Sequence, residues 1–316
     1  MKKTNSNNKI INKDKFVLCN ISKKFNVKNI ILISILLIYS LSFFSCFEGD
    51  DNYEGFIYPL SIGNTWDYTR NWNTYSYSDT ACDPHQYEDT STYSSDISVT
   101  VTQKVLLKDS FETFEVVGVE NSFTGVNTVK HYYKNNNDGL YMYAYACMLG
   151  GPVILPKKQS GNSIVFKGLK FNDFRQLSDF VQQSIPHLSI LSDSICYEEP
   201  PLKALQYPIE IGDQWTYRDE NDPLHIDMDR KVIDRKDVEL SIGTFECYEI
   251  KYIYDMDHDG EWDDDIWISD LISKKGLIQR TITILGIRNT TASGDSTDRY
   301  FDSIDTYTLN DLNVEL

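Results

Sequence analysis

An eleven-residue segment occurs twice in this chain. Tyr58-Pro59-Leu60-Ser61-Ile62-Gly63-Asn64-Thr65-Trp66-Asp67-Tyr68 returns as Tyr207-Pro208-Ile209-Glu210-Ile211-Gly212-Asp213-Gln214-Trp215-Thr216-Tyr217, with six identities in the eleven positions. Thr113-Phe114-Glu115 then matches Thr244-Phe245-Glu246, and Gly139-Leu140 matches Gly276-Leu277 in the same order. Two ordered copies with a long period predict tandem domains, since a solenoid repeats every few dozen residues.

The residues inside each copy alternate as strands do. Ile97, Val99, Val101, Val105 and Leu107 are interleaved with polar residues, as are Tyr248, Ile250, Tyr252 and Tyr254. Ile278, Ile282 and Ile284 share one face of a further strand. A period of two places such residues on one side of a sheet. Gly63 and Gly212 supply a positive φ in the turn before each Trp-x-Tyr, whose two rings then share a face. One segment reads as helix, capped by Asn172 or Asp173, with Phe174, Leu177, Phe180 and Val181 on one side. The expected fold is therefore mainly β: two tandem, duplicated antiparallel β-sheet domains with a short connecting helix. The first domain is read as residues 53–198 and the second as 199–316, with Pro200-Pro201 near the junction.

The N-terminus has a different character. Eight lysines between Lys2 and Lys28 precede a short apolar run, Ile30 to Phe44, which ends at Ser45-Cys46. A basic stretch, an apolar stretch too short to span a bilayer and a small residue form an export pattern. The end of this run resembles the lipobox of bacterial lipoproteins, although Phe43-Phe44 replace the smaller residues usual there. The resemblance implies that residues 1–45 are a signal peptide and that Cys46 carries lipid, including palmitate. It also implies residence at the cell envelope, here read as the outer membrane. Residues 46–52 read as an acidic tether, and Asp50-Asp51 resemble a surface-export signal. The repeated Pro-x-x-x-Gly-x-x-Trp-x-Tyr opening, with Gly243-Thr244-Phe245-Glu246, resembles a group of bacterial secreted lipoproteins. That resemblance implies an extracytoplasmic β-sheet module and carries over no catalytic residue. Fold analogy adds a half-barrel sheet, as in periplasmic lipoprotein carriers.

Charge narrows the partners. The chain carries −17 overall, but residues 1–45 hold eight lysines and one acid, so residues 46–316 carry 22 basic and 46 acidic groups, a net −24. Such a surface repels phosphate backbones and excludes nucleic acid as the expected partner. Six aspartates crowd Asp255 to Asp265. Alternating acids around Gly260 are the donor pattern calcium uses, so Asp255, Asp257, Asp259, Glu261, Asp263 and Asp265 are candidate Ca2+ ligands. Position 12 of the loop is Ile266 and strands flank it, which rules out an EF-hand. A solvated hairpin tip is the simpler alternative.

Cys82, Cys147 and Cys196 are candidates for one disulfide in an oxidising compartment, while Cys247 reads as a buried free thiol. The five histidines form no paired motif and read as surface or satisfied groups. Arg70 to Asp96 reads as a polar, aromatic hairpin loop whose rings suit a glycan or protein partner. The leading expectation is a non-enzymatic, envelope-anchored binding or structural lipoprotein. The alternatives are a carrier of hydrophobic ligands and a hydrolytic or glycan-active enzyme.

Overall fold

Strands dominate because β-branched and aromatic residues recur at alternate positions. A computed structural model describes residues 55–78, 86–122, 125–150, 163–182, 195–219, 227–290 and 296–315, with the backbone alone at 147–150, 175, 179 and 296–298. The expected signal peptide, Cys46 and the tether lie outside the described residues. Strands β1 (Thr65–Tyr77), β2 (Asp89–Leu107), β3 (Phe111–Ser122), β4 (Gly125–Asn136) and β5 (Gly139–Gly150) follow one another as antiparallel neighbours. Two short strands, β6 (Ser163–Phe166) and β7 (Leu169–Phe171), and helix α1 (Phe174–Val181) come before β8 (Cys196–Gln206), which pairs with β5. The second run comprises β9 (Gln214–Arg218), β10 (Asp227–Leu240), β11 (Gly243–Asp255), β12 (Ile266–Ser273), β13 (Gly276–Thr290) and β14 (Ser296–Asn313).

These strands make one sheet, in the order β8-β5-β4-β3-β2-β1-β14-β13-β12-β11-β10-β9. The two runs join where β1 pairs with β14, from Thr65 opposite Asn313 to Tyr77 opposite Tyr300. The sheet curls until its ends meet. There the Trp215 indole donates to the Lys203 carbonyl at 2.9 Å, and Arg218 pairs with Glu198 at 2.7 Å. The result is a nearly closed antiparallel β-barrel.

This corrects the expectation of two tandem domains. Glu54–Leu316 is a single unit, and the boundary read at 198/199 falls inside β8. Pro200 and Pro201 sit in that strand, not in a linker. β8 tolerates them because it ends the sheet, and its pairing with β5 skips between Met142 and Ala144. Nor does α1 connect two domains. Asp173 Oδ1 caps it by accepting from Gln176 N at 2.8 Å, and Leu177 and Val181 are fully buried. The Phe174 ring meets Trp72 and Phe301 edge-on, and the Tyr254 hydroxyl donates to Val181 O at 3.1 Å. α1 thus packs among inward side chains of β1, β11 and β14.

The matched sequence segments occupy matching places. Gly63 N donates to Val101 O and Val101 N to Asn64 O; Gly212 N donates to Val232 O and Val232 N to Asp213 O, all at 2.9 Å. Both glycines have φ +96°. β2 slips register after Val101 and β10 after Val232. Thr113-Phe114-Glu115 and Thr244-Phe245-Glu246 lie in β3 and β11, and the Gly-Leu pairs open β5 and β13.

The slip in β2 overturns one reading. An inserted residue exchanges the faces of everything beyond it. Ile97, Val99 and Val101 therefore face the main core, while Leu107 and Val105 pack outside it with Tyr132 and Ala144. The segment read as a loop, Arg70 to Asp96, is mostly strand as well: β1 runs to Tyr77 and β2 starts at Asp89.

The backbone of Gly276 passes close against the Trp66 indole. Its φ is +104°, and an added Cβ would lie 2.7 Å from Trp66 Nε1, which itself donates to Lys275 O at 2.6 Å. Gly276→Ala is expected to cost about 2–3 kcal/mol through combined backbone strain and overpacking, read as a lower urea midpoint at unchanged slope. Gly55→Ala, where a Cβ meets nothing within 4 Å, is the near-neutral control.

Candidate functional site

The inward parity of several strands carries charge. Arg70 follows Trp66 and Tyr68 on β1, and Arg230 lies between Met228 and Val232 on β10. Asp270 follows Ile268 on β12, and Arg280 lies between Ile278 and Ile282 on β13. Charged groups cannot pack like hydrocarbon; they demand partners and leave space between them. The barrel accordingly holds a half-open cavity of about 500 Å³, within the roughly 300–1,000 Å³ of small-molecule sites. Ile97, Val99, Val116 and Val129 form one apolar wall, and Leu140, Leu205, Ile272 and Leu277 another. Gln182, the C-cap of α1, joins the lining and donates to the Tyr307 hydroxyl at 3.1 Å.

Two of the three arginines are held by carboxylates. Arg280 grips Asp270 through Nε and Nη2, both at 2.7 Å, and the Tyr252 hydroxyl also donates to Asp270 at 2.5 Å. Arg70 donates to Asp305 through Nε at 3.0 Å and Nη2 at 2.6 Å, and to Glu120 at 2.9 Å. Burial by itself would lower the Arg70 pKa, but Tyr307, Asp305 and Glu120 outweigh it and raise it. Arg280 behaves alike: burial opposes its charge, and Asp270 and Tyr252 more than restore it. Paired charges of this kind fix side chains in one arrangement. Arg230 differs. Its guanidinium carbon lies 3.7 Å from the Tyr217 ring centre and 4.1 Å from that of Tyr252, and Nη1 donates to the Ala204 carbonyl.

His131 lines the same cavity. Burial, reinforced by Arg280, lowers its pKa to about 4, so the ring is neutral at neutral pH. Nothing in the residue pattern singles out this histidine. The clue to the arginines was there: a charged residue at the inward parity of an otherwise apolar strand.

The acidic loop joins β11 to β12. Asp255, Asp257 and Asp259 bring carboxylate oxygens within 4.8 Å of one another. Asp255 is buried; one oxygen accepts from Gly260 N at 2.9 Å and Oδ1 has no partner. The other expected ligands, Glu261, Asp263 and Asp265, lie outside this three-carboxylate cluster and make other contacts. Lys167, in the turn between β6 and β7, pairs with Asp263 at 2.7 Å and Asp265 at 3.1 Å. Burial opposes the Lys167 charge, and those two carboxylates reverse the effect and raise its pKa. Asp263 also accepts from Met256 N at 2.9 Å. Glu261 is exposed, and its backbone N–H donates to Asp259 at 2.8 Å. The β10–β11 ladder sets Asp227 directly opposite Asp255. Asp227 contacts His258 at 3.2 Å, and its Oδ1 is likewise buried without a partner.

Cys196 and Cys247 are free thiols; burial pushes the Cys247 pKa up to about 12. Cys82 and the Cys147 side chain lie outside the described residues. Within the aromatic set between Arg70 and Asp96, Trp72 faces inward and donates to Ser303 at 2.7 Å, whereas Tyr77, on the opposite face of β1, is buried by stacking on Tyr300 at 5.7 Å. Tyr87 remains exposed.

No protein-family model matches this sequence, and no curated protein matches it. Three solved structures are similar at low scores. An inferred lipoprotein from Parabacteroides distasonis ATCC 8503 is 14% identical with TM-score 0.30, over 82% of this chain and 99% of that one. An inferred exported protein with a YmcC-like fold from Bacteroides fragilis NCTC 9343 is 11% identical with TM-score 0.30, over 82% and 99%. A β-barrel-like protein of domain of unknown function DUF1849 from Brucella abortus is 9% identical with TM-score 0.22, over 79% and 98%.

Acid stability tests the placement of His131. Its folded pKa, about 4, lies below the ordinary 6.5. As pH falls, the unfolded chain takes up this proton first. The stability contributed above 6.5 is therefore lost progressively between 6.5 and 4. Between about pH 7 and about pH 4.5, wild type should lose about 1–2 kcal/mol more than His131→Gln, allowing for screening at a cavity wall. Urea denaturation at both pH values reads the difference; equal losses would place His131 in water.

Proposed function

We propose that this chain is an envelope-anchored lipoprotein, lipidated at Cys46, whose barrel binds a hydrophobic molecule without transforming it. The observation that carries the reading is the apolar-walled cavity of about 500 Å³ inside the barrel. The binding role favours the carrier alternative over a purely structural module. Asp270, Asp305 and Glu120 are held by arginines, and His131 is kept neutral. That arrangement suits fixed walls better than proton transfer. The envelope address rests on the lysine-rich segment, the apolar run and Ser45-Cys46. Outer-membrane residence and surface display follow from the same segment and from Asp50-Asp51. The matching turns, bulges and Gly-Leu strand starts of the two runs support an internal duplication closed into one barrel.

Native mass spectrometry of the protein extracted from membranes tests address and cavity together. The expected species carries acyl chains covalently on Cys46 and releases one small hydrophobic molecule on activation. Val129→Trp, which fills the cavity, should keep the first and lose the second. An unmodified Cys46 would sink the anchoring; a ligand that survives in Val129→Trp would sink the cavity.

A second reading concerns the acidic loop. Asp255 Oδ1 is buried without a partner, Asp255 clusters with Asp257 and Asp259, and Asp227 stands across the ladder. Like charges in such a setting are stabilised by a cation. We therefore propose that Asp255, Asp257 and Asp259 hold Ca2+, with Asp227 completing the charge. Calcium at about 1 mM should raise the melting temperature by a few degrees through binding to the folded state alone. Asp255→Asn should abolish the rise, and a wild-type melt indifferent to calcium would dispose of this site.

A further inference from the structure

We infer that the cavity's ligand is a single-chain amphiphile with an anionic head, and that Arg230 receives that head. The inference rests on the cavity reading above and deepens it. Arg230 is 7% exposed, and its Nε is buried with no hydrogen-bond partner. Among the described residues no carboxylate lies within ion-pair distance of its guanidinium, although Arg70 and Arg280 in the same cavity each have one. An uncompensated buried cation costs several kcal/mol in apolar surroundings. The Tyr217 and Tyr252 rings offset part of that by cation–π attraction. They lie 3.7 and 4.1 Å from the guanidinium carbon. Ala204 O takes one donor, and no described carboxylate meets the charge.

The rest of the cavity supplies the other half of the ligand. Leu140, Leu205, Ile272 and Leu277 line it with hydrocarbon. A volume of about 500 Å³ suits one alkyl chain better than the two of a bulky diacyl lipid. A carboxylate or phosphate head meets the guanidinium through charge-assisted hydrogen bonds. The tail then displaces water from the apolar walls.

Calorimetric titration of the full chain carrying Cys46→Ser, which removes the covalent lipid, tests this with three probes sharing one tail: dodecanoate, dodecyl phosphate and dodecanol. An anionic probe should bind about tenfold or more tightly than dodecanol, as expected for hydrogen bonds to a charged group. The tighter anion distinguishes a fatty acid from a phosphate-headed lipid. Arg230→Gln should erase the preference, so that the two anionic probes bind no more tightly than dodecanol. If all three bind equally to wild type, the head-group assignment falls and the cavity reading stands. If none binds, both fall. Should Arg230→Gln fail to fold, carboxyl-labelled dodecanoate on the Arg230-containing chain gives the answer by carbon NMR. Its bound carboxyl should titrate below the free acid, and an unshifted titration overturns the assignment.

Discussion

The ladder between β1 and β14 is the constraint on which the rest depends. It joins Thr65–Tyr77, near the start of the described chain, to Tyr300–Asn313 at its end. Each run of six strands would otherwise present a long unpaired edge, with a row of unsatisfied backbone groups. Pairing the first strand of one run with the last strand of the other removes both edges. It also brings Arg70 to Asp305 and Trp72 to Ser303, contacts spanning more than two hundred residues of sequence. Such closure is slow to find and cooperative once found, because its loop entropy is lost before its contacts form.

Curvature then decides what the interior is. A flat sheet would pack its apolar face against a second layer. This one encloses its own inward side chains, and several are charged. Arg280 with Asp270 and Arg70 with Asp305 and Glu120 are viable inside because each charge is met by bidentate or multiple hydrogen bonds. Their rigid, polar geometry prevents the close packing that hydrocarbon achieves. The cavity is the space left between these pairs and the valine and leucine walls, and α1 limits it at one side through Gln182.

The acidic loop shows how much tertiary context alters a local motif. The sequence presents six aspartates as one set. The β6–β7 turn, remote in sequence, delivers Lys167 to Asp263 and Asp265 and leaves Asp255, Asp257 and Asp259 as the cluster. Across the equivalent point of the first run, β3 and β4 are joined through residues 123–124 alone, so the barrel does not need the longer loop. Asp227 entered the picture only through its register opposite Asp255.

The residues by themselves determined what is local. Alternation specified strands, Gly63 and Gly212 specified the left-handed turn, Asn172-Asp173 specified where the helix is capped, and the repeated segments specified equivalent places in two runs. These follow from backbone sterics and short-range hydrogen bonds, which neighbouring residues fix. Three features were decided by the tertiary structure alone: that the runs share one sheet, that the bulge after Val101 turns Leu107 away from the core, and that among the described residues Arg230 meets no carboxylate while Arg280 does. The physical reason is common to all three. Strand pairing, face and ion partner depend on which distant segment arrives alongside, and periodicity within a strand carries no record of its neighbour.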